Sequence, residues 1–219
     1  MDDGTSARFG DTHFVLTTTG GAAGEVFTHL EFCTQVLWPE LDVQIFSVTD
    51  QWAQYSIAGP KARDLVNALI DQPIDNESFP YMACGNITVA GGLRARLFRI
   101  SFSGELAYEI AVPTRYGDAM IRALMKQGEE FGAVAYGTES LGVMRVEKGH
   151  VAGNELNGQT TALNMGLGKM VSKKKDAIGM VLSQREGLTA EDGLRLVGVR
   201  PVDPAKPLTA GSHFLDIGA

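Results

Sequence analysis

The chain has 219 residues, 44% of them hydrophobic, with a net charge of −7 and a pI near 5.1. That is enough for one or two domains with a real core, and the acidity argues against sequence-independent nucleic-acid binding, which needs a basic surface. No run approaches the roughly 20 apolar residues of a membrane span, and no basic segment leads into an apolar run at the N-terminus, so neither a membrane partner nor a signal peptide is expected. Cys33 and Cys84 have no metal-like spacing and no adjacent His. Both read as small buried hydrophobes, nothing implies an oxidising compartment, and a cytoplasmic location is expected.

In chain order, Phe14–Thr18 reads as a strand and Thr19-Gly20-Gly21 as a break. Ala22–Leu37 has helical spacing through Val26, Leu30, Cys33 and Leu37, and Pro39 ends it. Asp42–Val48 and Trp52–Ile57 alternate as two strands around Thr49-Asp50-Gln51. Pro60 opens a helix whose stripe is Ala62, Leu65, Val66, Leu69 and Ile70. After a loop at Asp71–Pro80 the plan repeats: Asn86–Val89 and Arg94–Ile100 pair with Ala107–Val112, and Asp118–Phe131 forms a helix. Ser140–Glu147 reads as a further short helix. Leu194–Val199 is strand-like, before a connection rich in Pro from Pro201 to Pro207. The expected class is α+β, a duplicated arrangement of antiparallel sheets with packed helices.

The chemistry concentrates in residues 97–113, where two strand-like runs flank a polar turn at Ser101–Glu105. Tyr108, Ile110 and Val112 share one strand face, and Ala107, Glu109 and Ala111 the other. A carboxylate between two alanines leaves room for a flat group. It can accept two parallel hydrogen bonds, such as the edge of a guanine-like or pterin ring donates. The same spacing also fits a Glu on the wet face of an antiparallel strand. Tyr81, after Pro80, is placed to reach a ring-binding cavity or to fill the core. The four His are scattered, and nothing in the sequence makes His150 a base. Lys173-Lys174-Lys175 reads as a solvated charge run. Gly20-Gly21 and Gly91-Gly92 lack a phosphate-loop context, and no flavin or nicotinamide fingerprint appears.

Ser-Phe-Ser-Gly-Glu-Leu-Ala-Tyr-Glu-Ile, residues 101–110, resembles the Gly-Tyr-Thr-Gly-Glu-x-Gly-Phe-Glu motif of the folate-dependent aminomethyltransferases of glycine cleavage, the T-proteins. That fold also occurs as a domain in dimethylglycine oxidases and in the alpha subunit of heterotetrameric sarcosine oxidases. Met1-Asp2-Asp3, Ala58-Gly59-Pro60-Lys61-Ala62 and Gly137–Gly149 resemble further family segments in the same order. Thr138–Gly153, with Met1–Gly4 and Thr17–Gly21, looks most like the sarcosine oxidase alpha subunits. Leu141-Gly142 stands where T-proteins have Arg-Asp, so the polar contacts of that pair should be absent.

The resemblance implies a folate-binding aminomethyltransferase-like fold over 1–190, lacking its N-terminal part, and the start of a C-terminal β-barrel over 191–219. The chain is thus expected to be a fragment, truncated at both ends. The family's catalytic carboxylate falls on Asp3, its pterin-holding Glu on Glu109, and its motif aromatic on Phe102, which lacks the hydroxyl of Tyr. Tetrahydrofolate is the implied cofactor of this domain. FAD, FMN and NAD would sit elsewhere in a complex with other sarcosine oxidase subunits. The implied function is to receive the one-carbon unit from oxidative demethylation of sarcosine, giving 5,10-methylenetetrahydrofolate. Alternatives are a stand-alone glycine-cleavage aminomethyltransferase and a non-catalytic folate-binding module.

Overall fold

The computed structural model describes residues 2–172, 174–209 and 211–213. They fall into two compact units, Met1–Asn157 and Gly158–Ala219.

The first unit opens on an antiparallel hairpin of β1 (Ser6–Arg8) and β2 (Phe14–Leu16). Its pairing continues toward the N-terminus, where the Thr5 and Thr17 backbones exchange N–H···O bonds of 3.1 and 2.9 Å. Gly4 fits because it has no Cβ, which would lie 1.9 Å from the Thr17 carbonyl oxygen. Asp2 ties the segment further: its carboxylate accepts from the backbone N–H groups of Gly4 (2.9 Å) and Thr19 (3.2 Å). The residues before β1 are therefore held rather than frayed.

Helix α1 (Ala23–Phe32) runs into a π turn over Cys33–Leu37, close to the expected limits. It buries none of its own residues, although Cys33 is buried and its Sγ lies 3.7 Å from His29 Nε2, one turn earlier. Asp42–Val48 does not become a strand. It runs without a ladder partner among the described residues, with Val43 and Phe46 exposed. Alternation makes a strand only where a neighbour supplies the hydrogen bonds.

The main sheet is built from β3 (Trp52–Ala58), β4 (Cys84–Val89), β5 (Leu93–Phe98) and β6 (Ala107–Pro113), all antiparallel in the order β3-β6-β5-β4. Helix α2 (Ala62–Asn67) follows β3, with Pro60 just ahead of it, and α3 (Gly117–Gly128) follows β6. The stripes Leu65 and Val66 of α2 and Met120 and Leu124 of α3 pack on one sheet face, against Ile57, Leu97, Tyr108, Ile110 and Val112. The opposite face carries Phe98 and Ala111, which pack with Ala7 of β1 beside Phe9, Val15 and Trp52. Arg96 lies across this second face, its guanidinium 3.9 Å from the Trp52 ring centroid and 5.6 Å from that of Phe9.

With helices on one side and the hairpin on the other, β6 is buried at every position except Glu109 and Pro113. Ile110 is fully buried. Ile110→Val should cost about 0.5–1.5 kcal/mol in chemical denaturation, because one methylene leaves a gap that the sheet cannot close.

Helix α4 (Thr138–Lys148) ends at Gly149, whose φ of 77° makes the left-handed turn that stops it. In the second unit, α5 (Glu186–Thr189) and short turns are joined by side-chain bonds: Asn164 Nδ2 donates to the Leu194 carbonyl at 2.9 Å. No strand forms among its described residues. Residues Leu194–Val199, where a strand is expected, are exposed and form none, although the Leu196 backbone N–H donates to the Asn164 carbonyl at 2.9 Å. Lys174 and Lys175 are exposed, as a solvated charge run should be, while Lys173 and residues 214–219 lie outside the described residues.

Candidate active site

A cavity of about 410 Å³ opens in the first unit where three separate stretches meet. The N-terminal segment and β2 exit supply Asp3, Thr5 and Thr17–Thr19; the sheet and its turn supply Gln54, Ile100, Phe102 and Glu109; the turn after α4 supplies His150, Ala152 and Gly153. A larger, open depression beside α1 is lined by Glu25, Thr28, His29 and Phe32 among others, all from one short stretch of the chain. Among the described residues no cluster of His, Cys, Asp and Glu is arranged to hold a metal.

Glu109 is placed by strand register. It lies opposite Ser56 of β3 and Phe98 of β5, on the hairpin-covered face but beyond the hairpin's apolar contacts. Its carboxylate is half-buried and accepts a hydrogen bond from Gln54 Nε2. Burial pushes the Glu109 carboxyl above its ordinary range, and the Gln54 bond only partly opposes that. A desolvated carboxylate with acceptor capacity beyond its one amide donor is suited to a ligand that brings N–H groups.

Asp3 is held from two sides. Thr19 Oγ1 donates to its Oδ1 at 2.9 Å, and His150 Nε2 lies 3.4 Å from its Oδ2. The imidazole of His150 meets the Phe102 ring edge-on, with centroids 4.9 Å apart. Lys148 Nζ donates to the Ser101 carbonyl and so ties the turn that carries Phe102 to the end of α4. Burial lowers the His150 imidazole, Lys148 and Arg145 push the same way, and Asp3 opposes them.

Asp3, Glu109 and Phe102 thus line one cavity. Tyr81 does not join them. It sits in an exposed turn, 68% accessible, just before Met82 at φ 66°, and it is neither a cavity wall nor a core residue. Tyr81→Ala should leave ligand affinity within about twofold in a binding titration, as surface changes generally do. Gln54 and His150 were missed. Gln54 shares its strand face with Ser56, so the register that puts Ser56 opposite Glu109 is the signal that would have found it. For His150 no local signal exists, because its partners come from residues 3 and 102.

The GCVT N-terminal domain matches residues 1–175. The chain belongs to this family. Over its full length it is 51% identical to sarcosine oxidase subunit alpha of Rhizobium meliloti (strain 1021) and 42% identical to that of Corynebacterium sp. (strain P-1). It spans only 22% and 23% of the length of these relatives. An aminomethyltransferase of Thermoanaerobacter sp. (strain X514) is 26% identical over 213 residues, which cover 94% of this chain and 55% of that protein. The fold is α+β with two antiparallel sheets among the described residues, and no helix among them is long and apolar enough to cross a membrane.

Proposed function

We propose that this chain is the folate-binding portion of a sarcosine oxidase alpha subunit, and that its cavity passes the one-carbon unit from oxidised sarcosine to tetrahydrofolate as 5,10-methylenetetrahydrofolate. The observation that carries this is the meeting of two carboxylates with different surroundings in one cavity: Glu109, desolvated beside Gln54, and Asp3, held between Thr19 and His150. Glu109 accepts N–H groups from the edge of the flat ring, and Phe102 supplies an apolar wall for it. Asp3 offsets the positive charge of the one-carbon unit, an iminium or its equivalent, and orients it. Tetrahydrofolate supplies the nitrogen nucleophiles. FAD, FMN and NAD sites lie on parts of the assembly outside this chain, and the other sarcosine oxidase subunits are its partners.

Full-length relatives named as sarcosine oxidase alpha subunits support this reading over a stand-alone aminomethyltransferase. So does Leu141-Gly142 within α4, where the polar pair of that enzyme's motif is missing. The test is sarcosine turnover by the full-length subunit in its complex. With tetrahydrofolate present, the methyl carbon should be recovered as 5,10-methylenetetrahydrofolate. Release of the same amount of formaldehyde with and without tetrahydrofolate would overturn the proposal.

A further inference from the structure

We propose that His150 and Asp3 form a proton-exchanging pair serving the one-carbon chemistry of this cavity, an inference that rests on the function proposed above. The imidazole is presented by a clamped turn rather than a loose loop. The His150 backbone N–H donates to the Arg145 carbonyl at 2.8 Å, and its carbonyl accepts from Arg145 Nη1 at 3.2 Å. Arg145 also pairs with Glu155 at 2.9 Å, with both side chains mostly buried, and this fixes the far side of the same turn. On the other side of the imidazole, the Thr19 hydroxyl holds Asp3 Oδ1, leaving Oδ2 turned toward His150 Nε2. The Phe102 ring edge packs against the imidazole and limits its rotation.

The charged groups bearing on the imidazole are Asp3 from the N-terminal segment and Lys148 and Arg145 from α4, with Glu109 in the wall of the same cavity. Burial and the two cations favour neutral imidazole, the form that can take a proton. Transfer of an iminium carbon between amines requires such an acceptor. The attacking nitrogen forms the new C–N bond with its lone pair, and the C=N π pair moves onto the iminium nitrogen. The attacking nitrogen, now cationic, must then shed an N–H proton. His150 takes that proton at Nδ1, the ring nitrogen that does not face Asp3, while Asp3 stabilises the imidazolium through Nε2–H, and the proton returns to the amine that leaves as its C–N bond breaks. Nothing is oxidised or reduced in this exchange.

The test has two arms, both in the full-length subunit within its complex. The first is carbethoxylation of His150 by diethyl pyrocarbonate, followed by peptide mass spectrometry across pH, with exposed His13 as the internal reference. The reagent attacks neutral imidazole, so the His150 midpoint should lie below the ordinary imidazole range. Asp3→Asn should lower it further, by about half a pH unit or more, and Asp3→Glu should restore it. An unmoved midpoint in Asp3→Asn would overturn the pair. The second arm is the pH profile of methylenetetrahydrofolate formation. His150→Gln should slow it at least tenfold and remove the acidic limb that neutral imidazole produces. A retained rate and limb would overturn the proton-exchange role. If the unaltered complex forms no methylenetetrahydrofolate, the proposed function fails and this role with it, while the first arm still reports whether the two side chains are coupled.

Discussion

Glu109→Gln is expected to weaken tetrahydrofolate binding by roughly 1.5–3 kcal/mol, more than tenfold in Kd, because a charge-assisted acceptor becomes an amide that presents a donor where the ring edge also donates. The same variant should melt at a higher temperature than the parent without ligand. Burial raises the Glu109 carboxyl above its ordinary range in the folded state. Its contribution to stability is therefore fully present below the ordinary Glu range and is lost as pH rises through the raised value. Gln carries no charge at any pH and resembles the protonated acid. The gap in melting temperature should accordingly vanish at low pH and open as pH rises through that window. Titration calorimetry reads the first effect, and scanning calorimetry over a pH series reads the second. A variant that loses both affinity and stability at neutral pH would show that the carboxylate is held by the fold rather than kept for a ligand.

Asp3→Asn should have the opposite signature. Asn keeps the shape and can still accept from the Thr19 hydroxyl, so the turn before β1 and the affinity for tetrahydrofolate should stay within about twofold. What is lost is the charge that opposes a cationic carbon, and removal of one such electrostatic group slows chemistry on the order of 10²–10³-fold. Single-turnover transfer, read as methylenetetrahydrofolate formed per sarcosine oxidised, separates the two quantities. A fall in affinity as large as the fall in rate would place Asp3 in binding rather than in chemistry.

Most of the main sheet was legible because apolar alternation and helical stripes carry the core directly. The limits of β3 and β6 follow from the alternation of Trp52–Ile57 and Ala107–Val112, and the inward residues of α2 and α3 from Leu65, Val66, Met120 and Leu124, while β5 ends at Phe98, two residues before the expected Ile100. Glu109 stood out as the single charge in Ala107–Val112. Three features were hidden because they depend on what lies beside a segment. Asp42–Val48 alternates like a strand but has no described neighbour to pair with. Ser6–Arg8, too short and polar to read as a strand, becomes β1 because β2 folds back on it, and it covers the face on which Glu109 sits. Tyr81 follows a proline at a plausible distance, yet the chain turns at Met82 and sends the ring into water. The link between Asp3 and His150 spans nearly the whole first unit, and no spacing rule reaches that far.

The register of β6 ties binding to folding. Its residues alternate between helix-packed Tyr108, Ile110 and Val112 and the hairpin-side Glu109 and Ala111, so sliding the strand by one position would drive the acid under α2 and α3 and aim an apolar side chain at the cavity. Losing or gaining one residue in the Ser101–Leu106 turn would thus wreck recognition and packing in the same stroke. Room for change lies at the rim, in Thr18 and in Ala152 and Gly153, which border the opening without belonging to the ladder. Relatives of this chain that take a different ligand in this cavity should differ there first, and leave the ribbon as it is.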